Sequence, residues 1–293
     1  MQQLVNTTRQ NLFFEHLSPG VGVGFPVPKD WFPIKTFPLL IIVGMTGVGK
    51  STITKALAEE GLDFTLLPNR RALTERLIIA PMLKMEEKVV QPHCRIQRLT
   101  YARLYREYFP GGMGHILASL HVNPQEVNSI LVFDSLRGVN EVCYAAKALE
   151  NAKFVMLTAP NMVRLERLLK RHDPFDQIAN QNLEDNRQIF PEALTNFASL
   201  GIPEASNYFT PREEQEILEL VNKRVVTDVE LRDKLKIFVE ESQNYDSVAT
   251  KQILEAMDTS DRSLIIDAIA SPQESAKVII SRLCKSVDIK TNK

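Results

Sequence analysis

A glycine-rich segment at residues 44–51 has the residue types and the spacing that bind phosphate groups. It reads Gly-Met-Thr-Gly-Val-Gly-Lys-Ser and directly follows an apolar run. Glycines at this spacing let the backbone curl so that several N–H groups point inward, and the N-terminus of the helix expected next adds partial positive charge. The segment therefore predicts a P-loop that binds a nucleoside triphosphate.

The same chemistry assigns roles to the residues of this loop. Lys50 is expected to reach the β- and γ-phosphates, and Ser51 is expected to place its hydroxyl on Mg²⁺. The residues predicted to contact the nucleotide are Gly44, Thr46, Gly47, Val48, Gly49, Lys50, Ser51 and Thr52.

Asp134 provides a second signal, because it follows the apolar run 130–133. The end of a buried strand is where the Walker-B aspartate of nucleotide-binding proteins holds Mg²⁺. Asp134 and Ser51 are therefore predicted to form the metal side of the site. Many ATPase motors follow this aspartate with a glutamate that activates water, whereas this chain has Ser135, which disfavours a motor.

The segment Asp134-Ser-Leu-Arg137 resembles the Asp-Gly-x-x-Arg segment of nucleoside-monophosphate kinases and related small-molecule kinases. In that family the arginine helps to hold the phosphate of the acceptor, so the resemblance implies this role for Arg137. Ser135 stands where the family has glycine. The family fold is a five-stranded parallel sheet with the P-loop after its first strand.

Three arginines recur at helical spacing after the apolar run 153–157. Arg164, Arg167 and Arg171 are three and four residues apart and share one helix face. This helix is similar to the one that leads into the lid of adenylate-kinase-like and dephospho-CoA-kinase-like proteins. The resemblance implies that the arginines clamp the transferring phosphoryl group as its charge develops. The alternative is a basic helix face in solvent.

The stretch 69–128 is expected to be mostly helical and is rich in arginines and aromatic residues. In a kinase of this design, the acceptor lies here, and arginines beside aromatic rings suit an anionic, ring-bearing molecule. The alternative is a set of surface arginines beside core tyrosines. The residues concerned are Arg70, Arg71, Arg76, Arg95, Arg98, Arg103 and Arg106, with Tyr101, Tyr105, Tyr108 and Phe109.

Apolar runs that alternate with helical segments position these groups. Strands are predicted at 38–43, 63–67, 129–133, 153–157 and 263–267. Alternation of strands and helices is typical of a parallel sheet that is covered on both faces. We therefore predict an α/β P-loop NTPase fold with a five-stranded parallel sheet, helices on both faces and a large helical insertion.

The expected domain organisation has three parts. Residues 1–36 form an N-terminal arm in which Trp31 anchors packing against the core. Residues 37–171 and 261–293 form the P-loop NTPase core. Residues 172–260 are polar and helix-rich, and they form an insertion or lid-like subdomain. The alternative is a separate C-terminal helical domain.

The composition of the chain disfavours several classes of binding partner. The 35 basic and 36 acidic residues give a net charge of −1, which does not suggest a general nucleic-acid binder. The three distant cysteines predict neither a disulfide framework nor a zinc site. The chain shows no signal-peptide pattern and no apolar run long enough to cross a bilayer, so no membrane association and a cytoplasmic location are expected.

Two functional hypotheses follow. In the first, the protein is an ATP- and Mg²⁺-dependent phosphotransferase that moves the γ-phosphoryl group to a small, anionic, nucleotide-like acceptor. The residues expected to act in catalysis are Lys50, Asp134, Arg137, Arg164, Arg167 and Arg171. In the second, it is a nucleotide-dependent regulatory or assembly ATPase, and the insertion at 172–260 contacts a protein partner.

Overall fold

The computed structural model describes residues 13–85, 94–171, 173, 176, 178, 194–257 and 261–284. Its strands are β1 Glu15–Ser18, β2 Val21–Val23, β3 Phe32–Pro33, β4 Leu39–Val43, β5 Thr65–Leu66, β6 His121–Val122, β7 Leu131–Leu136, β8 Ala152–Thr158 and β9 Ser263–Asp267. Its α-helices are α1 Lys50–Glu59, α2 Arg70–Thr74, α3 Ala80–Met85, α4 Arg95–Tyr108, α5 Gly112–Ala118, α6 Gly138–Ala148, α7 Asn161–Leu169, α8 Pro211–Asn222, α9 Asp228–Asn244, α10 Ser247–Met257 and α11 Pro272–Cys284. A π-helical turn, Glu75–Ile79, joins α2 to α3.

The main sheet has five parallel strands in the order β5-β7-β4-β8-β9. All five residues of its central strand β4 are buried. Successive side chains of β4 point to opposite faces, so Leu39 and Ile41 enter one hydrophobic cluster while Leu40 and Ile42 enter another. Helices α5, α6 and α10 cover the first face, and α1 and α11 cover the second. The predicted five-stranded parallel sheet with helices on both faces is confirmed.

The bounds of two predicted strands need correction. β7 begins at Leu131 and continues to Leu136, because its pairing with β4 shifts register and resumes at Leu136 opposite Val43. Asp134 therefore lies inside β7, not after its last residue. β5 contains only Thr65 and Leu66, because it pairs at the edge of the sheet with β7 alone.

The N-terminal segment contributes short strands instead of long regular elements. β1, β2 and β3 form a second, four-stranded sheet with β6, in the order β1-β2-β6-β3. Trp31 is 8% exposed and its ring meets those of Phe14 and His16 edge-on, with centroids 4.8 and 5.0 Å apart. Trp31 is therefore buried, but these contacts lie within the N-terminal segment, so its predicted packing against the core stays a prediction.

The helices between residues 194 and 257 divide between two cores. Phe197, Leu235 and Phe238 form a third cluster together with Leu165 and Leu168 of α7. By contrast, α10 places Leu254 in the core of the main sheet. The division into arm, core and insertion remains a proposal. None of the described helices is long and apolar enough to cross a membrane.

Candidate functional site

The glycine-rich segment forms the turn between β4 and α1. Gly47 has φ of +85° and Gly49, at the N-cap of α1, has φ of +98°. This left-handed region favours glycine, since other residues meet steric resistance from their Cβ atom. A Cβ on Gly47 would also lie 2.6 Å from the carbonyl oxygen of Arg164. The strand, curled loop and helix of a P-loop are therefore all present.

Lys50 lies over the loop that it follows. Its ammonium group donates to the carbonyl oxygens of Gly44 at 2.7 Å and Met45 at 2.8 Å. Burial and the nearby Arg137 lower the pKa of Lys50 to about 7, although Glu241 and Asp134 act in the opposite direction. An anionic phosphate at this point would favour the charged form of Lys50.

A cavity of about 840 Å³ opens above the P-loop and collects most of the predicted residues. Gly44 and Arg164 do not line it. The predicted residues that line it are Thr46, Gly47, Val48, Gly49, Lys50, Ser51, Thr52, Asp134, Arg137, Arg167 and Arg171. The hydroxyl of Ser135 donates to Asp134 Oδ1 at 2.7 Å and orients that carboxylate.

The three arginines predicted to form a clamp have different surroundings. Arg164 is 4% exposed and donates from Nε to the carbonyl of Thr46 at 3.1 Å, so it supports the loop from outside the cavity. Arg167 donates to the carbonyls of Gly47 at 3.3 Å and Val48 at 3.1 Å. Arg171 lies on the cavity wall and is paired with Asp173, but α7 ends at Leu169, so Arg171 is outside the helix face predicted for all three arginines. The alternative, a basic helix face in solvent, does not fit α7, because Arg164 is buried.

The arginines between residues 70 and 106 also differ in their surroundings. Arg70, Arg71, Arg95 and Arg98 line the cavity together with the P-loop. The side chain of Asn69 caps α2 by accepting from the amide of Ala72 at 3.0 Å, which fixes the start of the helix that carries Arg70 and Arg71.

The remaining arginines and the aromatic residues of this region lie elsewhere. Arg76 pairs with Glu15 of β1. Tyr105 is buried, and its hydroxyl lies 3.0 Å from Nδ1 of His115. Among the described residues that line the cavity, there is no aromatic side chain. The described part of the wall thus offers basic groups for an anion, and none of its residues could stack on the ring of an acceptor.

Glu241 of α9 is a site residue that the sequence reasoning missed. It is 1% exposed, and its carboxylate accepts from the amide of Thr46 at 3.0 and 3.1 Å and from the Thr46 hydroxyl at 2.7 Å. It pairs with Arg137 at 2.7 Å and lies 3.6 Å from Arg164. Burial raises the pKa of Glu241, but Arg137, Arg164 and Lys50 outweigh burial and lower it to about 2.

Tyr245 and Glu141 were also missed, and both hold arginines. The hydroxyl of Tyr245 accepts from Arg70 at 2.7 Å and from Arg106 at 3.0 Å. The carboxylate of Glu141 binds Arg70 through bonds of 2.6 and 2.8 Å and accepts from the backbone amide of Arg137 at 2.9 Å. Glu141 thus fixes the guanidinium of Arg70 relative to the backbone of Arg137.

One signal for Glu241 was present in the sequence. Phe238, Glu241 and Tyr245 are three and four residues apart, so they share one helix face. A single acidic residue on a face that otherwise buries apolar side chains indicates a buried ion pair or a site. The pattern does not identify the partner of that acid.

Comparisons with known proteins identify the family of this fold. A protein-family model of an AAA domain matches residues 40–188. The solved structure of shikimate kinase from Acinetobacter baumannii, in complex with shikimate, is similar at 12% identity with a TM-score of 0.32, over 86% of this chain and 96% of that chain. Among curated proteins there is no match. Because the matched residues make up just over half of the chain and include the P-loop and Asp134, the protein belongs to the AAA-domain family and is a P-loop NTPase.

Proposed function

We propose that this protein is an ATP-dependent phosphotransferase that moves the γ-phosphoryl group to a small anionic acceptor. One observation carries the proposal: the P-loop and the arginines of residues 70–98 line a single cavity of about 840 Å³. A nucleotide hydrolase needs only a triphosphate site and water. A transferase needs a second anion site that opens onto the same phosphates, and these arginines could supply it.

We assign the residues that line the cavity to a nucleotide end and an acceptor end by their chemistry. The nucleotide end contains the P-loop and residues 268–270, which follow β9 and are tied to α7 by a bond of 2.8 Å from Arg167 to the carbonyl of Ala268. The acceptor end contains Arg70, Arg71, Arg95 and Arg98. Their guanidinium groups are planar donors that match phosphate or carboxylate oxygens in pairs.

Carboxylates behind the acceptor end orient its arginines. Asp176 pairs with Arg95 at 2.9 Å, and Glu75 pairs with Arg98 at 2.6 Å. Of the acidic side chains described, only Asp134 is itself part of the cavity wall. The charged side chains described on the wall are therefore basic apart from Asp134, as suits an anionic acceptor.

The residues present fit a magnesium ion. The hydroxyl of Ser51 and the carboxylate of Asp134 are oxygen donors on the same cavity wall, and Mg²⁺ in such sites takes one or two protein oxygens together with substrate phosphates. Bound there, Mg²⁺ would neutralise charge on the β- and γ-phosphates.

The chain's own residues would act through position and charge. Lys50 and the P-loop amides hold the β- and γ-phosphates, while Arg137, which Glu241 holds beside the P-loop, and Arg171 face the transferring group. The acceptor oxygen forms a bond to the γ-phosphorus as the bond from that phosphorus to the bridging oxygen breaks, and ADP leaves. The arginines stabilise the charge that spreads over the γ-oxygens during this exchange.

Acceptor-dependent ATP consumption tests the proposal. We expect one member of a panel of nucleotides and phosphorylated metabolites to stimulate turnover and to appear as its phosphorylated product. Lys50→Ala and Asp134→Ala should abolish that turnover, whereas Lys55→Ala should retain it, because the Lys55 side chain on the same helix is 78% exposed.

A second function is favoured by one specific contact. Glu241, within the 172–260 region, bonds directly to the P-loop at Thr46, so a change at the loop would reach the helices of that region. A regulatory or assembly ATPase would use this link to signal to a protein partner. Turnover that no acceptor changes, but that a protein partner raises, would favour this function.

A further inference from the structure

Three parts of the proposed transfer site meet at the carboxylate of Glu241. The P-loop contributes the amide and hydroxyl of Thr46, the segment after β7 contributes Arg137, and α7 contributes Arg164. Glu241 itself comes from α9, which lies outside the matched AAA-domain residues 40–188. The junction is buried, since Glu241 and Thr46 are 1% and 4% exposed.

The carboxylate of Glu241 reduces the repulsion among three cations near the P-loop. Lys50, Arg137 and Arg164 are cations near one loop, and like charges at short range repel strongly where water is excluded. The Glu241 carboxylate compensates them and holds Arg137 at 2.7 Å. Arg137 also lines the cavity, and 15% of its side chain is exposed, so its guanidinium can reach a ligand there while it is paired with Glu241.

Glu241 is not suited to proton transfer. A general base works best with a pKa near the working pH, whereas the cations around Glu241 hold its pKa near 2. Its oxygens are also engaged by Thr46 and Arg137. The remaining roles are to position other groups or to stabilise the fold alone.

We propose that Glu241 is a positioning residue that holds the guanidinium of Arg137 against the P-loop at Thr46, in the orientation that phosphoryl transfer needs. Helix α9 is then part of the catalytic apparatus. The inference rests on the proposed function in assigning Arg137 to the phosphates. A group held out of place by about 1 Å can cost about 100-fold in rate, so such a residue is important without touching the substrate.

A double-mutant cycle tests this role. The variants are Glu241→Gln, Arg137→Gln and their combination, with Glu240→Gln as the matched control one residue earlier on α9. The rate of ATP hydrolysis without acceptor and the affinity for Mg·ATP are measured for each. If Glu241 acts through Arg137, each single variant loses at least about tenfold in turnover and the double variant stays within about threefold of Arg137→Gln. The control keeps wild-type turnover.

Two results would overturn the inference. One is wild-type turnover in Glu241→Gln. The other is a double variant whose losses multiply, to about 100-fold or more, because independent defects add in free energy. A role in which Glu241 acts through Thr46 or Arg164, and not through Arg137, predicts this second result, since such a defect does not depend on what Arg137 does.

The design remains informative if Glu241→Gln fails to fold, as judged by circular dichroism. The double variant removes both charges of the 2.7 Å pair and avoids leaving Arg137 buried without its partner. In that case the ATP hydrolysis rate of Arg137→Gln is compared with that of the double variant. A rate that is about tenfold lower in the double variant would contradict the inference. Because hydrolysis is read without acceptor, a wild-type protein that no acceptor stimulates would refute the proposed transfer while leaving the cycle readable.

Discussion

The buried carboxylate of Glu241 should make the stability of this protein depend on pH in a specific way. The pKa of Glu241 is lowered in the folded protein from 4.5 to about 2. A lowered folded pKa contributes stability at pH values above the unfolded pKa, and this stability is lost as the pH falls through the folded value. The contribution is therefore complete near pH 7 and decreases from about pH 5 toward pH 2.

The size of the effect follows from the same shift. Each unit of pKa shift corresponds to about 1.4 kcal/mol, so the shift of the Glu241 pKa from 4.5 to about 2 contributes about 3 kcal/mol to the free energy of unfolding at neutral pH. This agrees with the 3–5 kcal/mol that is typical when one partner of a buried ion pair is removed. Glu241→Gln should thus lower the free energy of unfolding by about 3 kcal/mol at pH 7.

Urea unfolding followed by circular dichroism measures this contribution. Wild type, Glu241→Gln and the control Glu240→Gln are compared at several pH values from 7 to 3. The difference between wild type and Glu241→Gln should lose about half its size between pH 5 and pH 3. A difference that stays constant over this range, or one that Glu240→Gln shares, would refute the electrostatic account of Glu241.

Two further predictions concern the two ends of the cavity. Gly47→Ala should weaken Mg·ATP binding by at least about tenfold, because its Cβ would lie 2.6 Å from the Arg164 carbonyl oxygen. The control Gly61→Ala should leave binding unchanged, because Gly61 has a similar φ of +87° but no atom within 4 Å of the added Cβ. Equal binding by both glycine variants would contradict the described loop geometry. Tyr245→Phe removes the hydroxyl that accepts from Arg70 at 2.7 Å, so steady-state kinetics should show the KM of the acceptor raised by about tenfold and that of ATP unchanged. A change in the KM of ATP alone would contradict the assignment of Tyr245 and Arg70 to the acceptor end of the cavity.

The parts of the fold that were predictable depend on local sequence. The apolar run of β4 and the glycines that follow it determine a buried strand, a turn and a helix without reference to distant residues. The run before Asp134 identified its strand for the same reason. Its last residue was predicted wrongly, because the pairing of Val43 with Leu136 extends the strand and depends on the neighbouring chain segment.

The parts that were missed depend on contacts between distant segments. Thr46 and Glu241 are 195 residues apart, so no local pattern joins them. The direction of Arg164 was also unpredictable, since helical spacing groups it with Arg167 and Arg171 but does not show which side of the helix packs under the loop. The same limit applies to Tyr245, whose role depends on how α9 lies against α4.

The transfer of label from γ-labelled ATP tests whether this protein is a phosphotransferase. The protein is incubated with Mg²⁺, labelled ATP and each member of the acceptor panel, and the products are separated by chromatography. We expect label to appear on one anionic acceptor and Lys50→Ala to abolish this transfer. Label that appears only in inorganic phosphate, with every acceptor, would contradict it.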